Sequence, residues 1–178
     1  MQQISKLDAA SRQLDAAISL LFANGDPIAV HTLAVAAANI FADVIDNRVG
    51  ALSWREKLRL DHGLSHAQLR DVMHKTWNFF KHANRDPNEI LEFDEQESEH
   101  IIFFATLECG EIQATSVPMQ TFQLWFLASG MLDLGPNDEI QRAAQLLFPT
   151  LKTLSRTEQL RTGEEMVAIQ TTGFHAEA

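Results

Sequence analysis

The sequence predicts an all-α fold, a compact single-domain array of six or seven helices whose first two form a long antiparallel hairpin. Three observations carry this. Punctuation is sparse, with 8 Gly and 5 Pro in 178 residues, so the segments between breaks are long. Apolar residues recur at three-, four- and seven-residue steps, as in Ile4, Leu7, Leu14, Ile18 and Leu21. Helix-start signals stand at the breaks: "DP" at 26–27, "SWRE" at 53–56 and "SHAQ" at 65–68.

The elements follow in order. The Leu14/Ile18/Leu21 stripe predicts a helix from about Gln3 to Ala23. "NGDP" closes it and opens the next, with Gly25 in the C-terminal turn, Asp26 as N-cap and Pro27 at the first helical position. The second helix, about 27–48, is rich in alanine and apolar nearly all round, which predicts the most buried element. "SWRE" opens a short third helix ending near "DHG", and "SHAQ" opens a fourth from His66 to Asn84. Asp94 caps a long fifth helix over "EQESEHIIFFATLECGEIQA"; its "IIFFATL" could pass for a strand, but the length without turn residues favours helix. Further helices are expected over about 118–131, 137–148 and 149–168. The domain is expected to span 1–168, with 169–178 a loose tail.

Composition narrows the function classes. There are 24 acidic and 14 basic residues, a formal charge of −10, which disfavours a broad grip on nucleic acid or anionic membrane. The single Cys109 excludes an intrachain disulfide and suits a reducing cytosol. The first 21 residues lack the basic start and unbroken apolar run of a signal peptide. The apolar stretch 28–45 is interrupted by His31, Asn39 and Asp43, and reads as a buried helix rather than a membrane span. Those three polar residues are expected to hydrogen-bond to neighbouring helices. A cytoplasmic location is expected.

The fourth helix carries the most informative pattern. At 100° per residue, Leu69, Val72, Met73, Thr76, Phe80 and Ala83 share one side and are assigned to the core. Opposite them lie His74, Asn78, Lys81, His82 and Arg85, with His74, Asn78 and His82 four residues apart in a column. Solubility alone would select Glu and Lys there. Residues 70–86 hold four Lys or Arg against two Asp, a locally basic stripe in an acidic protein that suits a phosphate, a carboxylate or a partner's acidic face. An imidazole among cations tends to be neutral and can serve as a general base. His82 and Asn78 are therefore the candidate catalytic residues, and His74, Lys81 and Arg85 the candidate ligand-binding ones. The structural readings stand beside these. Cations near a helix C-terminus favour its dipole, and Asn78 and His82 could satisfy a neighbour's backbone or a dimer contact. Asp86, Pro87 and Glu89 read as N-cap, N1 and N3 of a following helical turn.

Two long N-terminal helices, the second rich in alanine, followed by a helix carrying "NFFKH", resemble HEPN-type helical proteins. Ribonucleases of that superfamily carry an Arg, a polar residue, a spacer and a His. In that register Asn78 and His82 match, while Trp77 stands where the Arg should be. The resemblance covers about the first half of the chain and implies a helical, dimeric fold more strongly than it implies metal-independent RNA cleavage.

Other constellations are weaker. His62 and His66 are four apart, but Gly63 and Ser65 place a helix boundary between them, so no metal site is expected. No P-loop, GxGxxG, HExxH or EF-hand pattern occurs, and no cofactor is expected. The aromatic residues lie mostly at helical spacing, as core or dimer interface does. The reading is a helical interaction or regulatory protein acting as a homodimer, without a membrane partner. The alternative is a HEPN-like ribonuclease or nucleotide-acting enzyme using His82, with RNA or a nucleotide as ligand.

Overall fold

The computed structural model describes residues 1–48, 50–84 and 87–176, without the side chains of Val72 and of 173–176. Among the described residues the protein is 71% helix with no strand. The helices are α1 (Lys6–Phe22), α2 (Pro27–Asp46), α3 (Trp54–Asp61), α4 (His66–Lys81), α5 (Gln96–Ile112), α6 (Val117–Ser129), α7 (Glu139–Leu147) and α8 (Arg156–Ala176), with a 3-10 turn at Leu151–Thr153 before α8. That exceeds the six or seven expected. The helix expected over 149–168 is interrupted where Leu154 turns extended, and Ser155 opens α8 by donating from both its amide and its hydroxyl to Glu158. The same helix runs on to Ala176, through most of the stretch expected to be a loose tail.

Capping fixes the starts. Ser5 and Asp8 form a reciprocal box at α1, as Ser65 and Gln68 do at α4. Asp26 accepts from the amides of Ile28 and Ala29 at 3.0 Å each, with Pro27 at N1 of α2. Asp94 accepts from the Gln96 amide at 3.0 Å, one residue before the geometric cap of α5.

Packing is centred on α2, α5 and α6. The α1–α2 pairing is the most extensive in the molecule, followed by α2–α5. From α1 the buried set is Ala10, Leu14, Ala17, Ile18, Leu21 and Phe22, and from α2 it includes Val30, Ala34, Phe41 and Ile45. By length and mean hydropathy (1.8) α2 is the one helix among the described residues that could cross a membrane, yet much of it packs against α1 and α5. On α6, Phe122, Trp125 and Phe126 are wholly buried; Phe126 stacks on Phe103 with centroids 4.6 Å apart, and the Trp125 indole donates to the Gln159 carbonyl at 2.8 Å. Gly163 lets α8 close onto α1, since a Cβ there would come within 2.3 Å of the Phe22 ring.

Two further contacts position the candidate site. Asp46, at the end of α2, accepts from the amide and hydroxyl of Ser53, which ties the start of α3 to α2. α4 then lies on the flank of α2, with Leu69 buried and Met73, Thr76 and Phe80 half-buried as the stripe predicted. Ala83 is exposed, because the helix has ended before it.

Candidate functional site

The column His74–Asn78–His82 does not survive folding as one face. α4 stops at Lys81, and His82 is its C-cap in extended geometry (φ −132, ψ 130), three residues short of the expected end. Further along the chain, Phe93 packs back against α4 and α2. Phe93 meets the Phe80 ring edge-on at 5.2 Å and His31 at 5.3 Å. Pro87 and Asn88 form a turn, and 89–94 directly after them are not helical. Arg85 and Asp86 lie outside the described residues.

The polar residues separate into two concavities. Asn78 and His82 are exposed and line an open cavity of about 570 Å³ with Asp71, Lys75, Phe79 and Glu89. Neither the Asn78 nor the His82 side chain makes a hydrogen bond to another described residue. His74 faces a second cavity of about 200 Å³, beside Arg55, His66, Arg70 and Met73. Burial pushes the His74 imidazole below its ordinary range, helped by Arg55, Arg70 and Lys81. Lys81 joins neither cavity: its ammonium sits 3.4 Å over the Trp77 ring, a cation–π contact. Trp77 also packs against His74 at 5.3 Å. Among the described residues no group of three or more His, Cys, Asp or Glu side chains could hold a metal ion; His62 caps α3 while His66 begins α4.

Beneath α4 lies His31. It is 1% exposed, its Nδ1 is 3.2 Å from the Ser98 hydroxyl, and its Nε2 has no partner. Phe80 and Phe93 enclose it edge-on. Burial holds the imidazole below its usual 6.5, against an opposing pull from Glu97. A His kept neutral in the fold contributes stability that is complete above about 6.5 and is lost as pH falls through its lowered folded value. Urea unfolding at pH 7 and pH 5 should therefore show an acid loss that His31→Phe reduces. Of the other polar residues on α2, Asp43 pairs with Arg55 at 2.9 Å. Asn39, expected to hydrogen-bond to a neighbouring helix, instead lines a third cavity without a hydrogen bond to a described residue.

That third cavity, about 150 Å³ between α2, α3, α4 and α5, went unseen in the sequence. Its walls include Ala42, Trp54, Leu58, Met73 and Phe104, and its buried polar group is Glu108. Glu108 is 3% exposed; its Oε1 accepts the Trp54 amide at 3.1 Å, and burial pushes its carboxyl up to about 7. The one available signal was an acid in an otherwise apolar stretch, "FFATLEC". Comparison of the chain with protein-family models, with curated proteins and with solved structures returns no match.

Proposed function

We propose that this chain is a non-enzymatic interaction or regulatory module of the cytoplasm, working as a homodimer, with the outer face of α4 as its recognition surface. The observation that carries this reading is the state of Asn78 and His82: both are exposed on an open concavity, and no hydrogen bond to a described residue occupies them. Asp71 and Lys75 beside them give the surface both signs of charge, which suits a self-complementary contact. The long antiparallel hairpin of α1 and α2 belongs to the same proposal, supported by their extensive pairing across the connection 23–26. Asn78→Ala and His82→Ala should each change unfolding free energy by no more than about 0.5 kcal/mol, while weakening self-association in sedimentation equilibrium. A loss of ~1–3 kcal/mol, the cost of breaking a buried hydrogen bond, would make the stretch a structural latch and defeat the proposal.

One observation favours the ribonuclease alternative. Lys75 shares the concavity with His82 and Asn78, so a cation, an imidazole and an amide border one space. That set could hold a phosphate and move a proton. Metal-independent cleavage of single-stranded RNA that is lost in His82→Ala would establish it. Absence of cleavage by the wild type would remove it.

A further inference from the structure

Independently of the α4 surface, we propose that the cavity between α2, α3, α4 and α5 binds a small organic monocation, an ammonium carried on a compact aromatic or apolar body.

Size and lining select the body. A cavity of about 150 Å³ is that of a single aromatic ring. Trp54 and Phe104, with ring centroids 5.8 Å apart, form part of the wall, and Leu58, Met73 and Ala42 supply aliphatic surface. Trp54, Leu58, Met73 and Phe104 are all only half-buried, so they keep apolar surface that a ligand would cover. An apolar pocket with a few fixed polar groups is the ordinary form of a small-molecule site.

Charge selects the head group. One oxygen of Glu108 has a structural duty, accepting the first amide of α3, and the other accepts no hydrogen bond from a described residue. A carboxylate held out of water with half its acceptor capacity unused gains most from a cation. The surrounding charges supply it only in part, since Arg55 draws the carboxyl down by less than burial raises it. Arg55 lines the cavity, but its guanidinium is engaged by two carboxylates, Asp43 at 2.9 Å and Asp46 at 3.0 Å, which leaves that trio with a net negative charge. Lys57 is paired with Glu111 at 3.2 Å. His100 lines the cavity and directs its Nδ1 at the Gln96 carbonyl, 3.0 Å away. From α4 the contribution is the uncharged Met73. Phe104 adds an aromatic wall for the ammonium, while the Trp54 ring already carries the Lys57 ammonium 4.9 Å from its centroid.

A titration of the full chain with benzylammonium, followed by calorimetry and NMR shifts, tests this against toluene and benzoate as neutral and anionic counterparts. The expected result is saturable benzylammonium binding at pH 8, at least tenfold tighter than either counterpart. Binding should weaken about tenfold between pH 8 and pH 6, as a carboxyl titrating near 7 becomes protonated. Glu108→Gln should reduce benzylammonium to the affinity of toluene, and Ala38→Leu, which fills the cavity from a half-buried position, should abolish both. No saturable binding at millimolar concentration, benzoate binding as well as benzylammonium, or affinities unmoved by Glu108→Gln or by pH would each overturn the proposal. The pH and Ala38→Leu arms decide the matter even if Glu108→Gln does not fold.

Discussion

Arg156→Ala should cost the protein about 3 kcal/mol at pH 8, the low end of the range for removing one partner of a buried ion pair. Glu99 on α5 is 1% exposed, and its carboxylate is paired with the Arg156 guanidinium from the first turn of α8. The same guanidinium lies 5.4 Å from the ring of the wholly buried Trp125. Truncation leaves a charge in an apolar setting and uncovers an indole that α6 uses to hold α8. The low end is expected because the Arg156 side chain is 40% exposed, so water can enter where it stood. The sign with pH follows from Glu99. Burial already raises its carboxyl above the ordinary value despite the pull of Arg156, and loss of that Arg raises it further. The neutral acid is the cheaper occupant of the site, so the penalty should shrink as pH falls towards 5. Urea unfolding of wild type and variant at pH 5 and pH 8 measures this. A difference under about 0.5 kcal/mol at pH 8 would mean that Glu99 is solvated and that the pair does not hold α8 to α5.

Such contacts mark where the sequence stops being legible. Local chemistry announced several helix starts: Asp26, Ser53, Ser65 and Asp94 each satisfy amides within three residues, so a short window contains the whole interaction. Ends decided by distant packing were not readable. α4 stops at Lys81, and Phe93 beyond it packs on Phe80 and His31, a contact between three separate segments. The expected His74–Asn78–His82 column divides differently from its spacing: His74 turns to the cavity beside Arg55, while Asn78 and His82 line another, a grouping set by the segments that pack around α4. α8 runs past its expected end at 168, and within it Gly163, a weak helix former by propensity, is what allows the helix to press on Phe22. Glu108 escaped notice for a related reason. In sequence it is one acid near the end of a helix, and only the arrival of α3 across α5 turns it into a buried carboxylate that receives a backbone amide.

Glu108→Gln should therefore change how stability depends on pH more than any other single substitution discussed above. The folded carboxyl sits at about 7 against an unfolded reference of 4.5, with burial the first cause. Arg55 and the Trp54 amide pull it down, while Asp46 and Glu111 push it up. A raised acid contributes stability that is complete below 4.5 and is lost as pH climbs through about 7, because ionising it inside the fold costs more than ionising it in water. At about 1.4 kcal/mol per pKa unit, the wild type should shed roughly 3 kcal/mol between pH 4.5 and pH 8 from this group alone. The Gln variant keeps an acceptor for the Trp54 amide and has no charge to bury. It should match the wild type below about pH 4.5 and exceed it by ~3 kcal/mol at pH 8. His31 works in the opposite direction, taking stability away on the acid side of 6.5, so the two groups oppose each other where their titrations overlap. Removing the Glu108 carboxylate should abolish the loss with rising pH and leave the acid-side loss from His31 in place. Urea midpoints at half-unit intervals from pH 4 to 8.5 separate the two contributions, and parallel profiles for wild type and Glu108→Gln would show that the carboxylate is hydrated. Where the wild type is weakest, above pH 7, an ammonium in the cavity should stabilise it most, because the ligand then supplies the counter-charge that the fold withholds from Glu108.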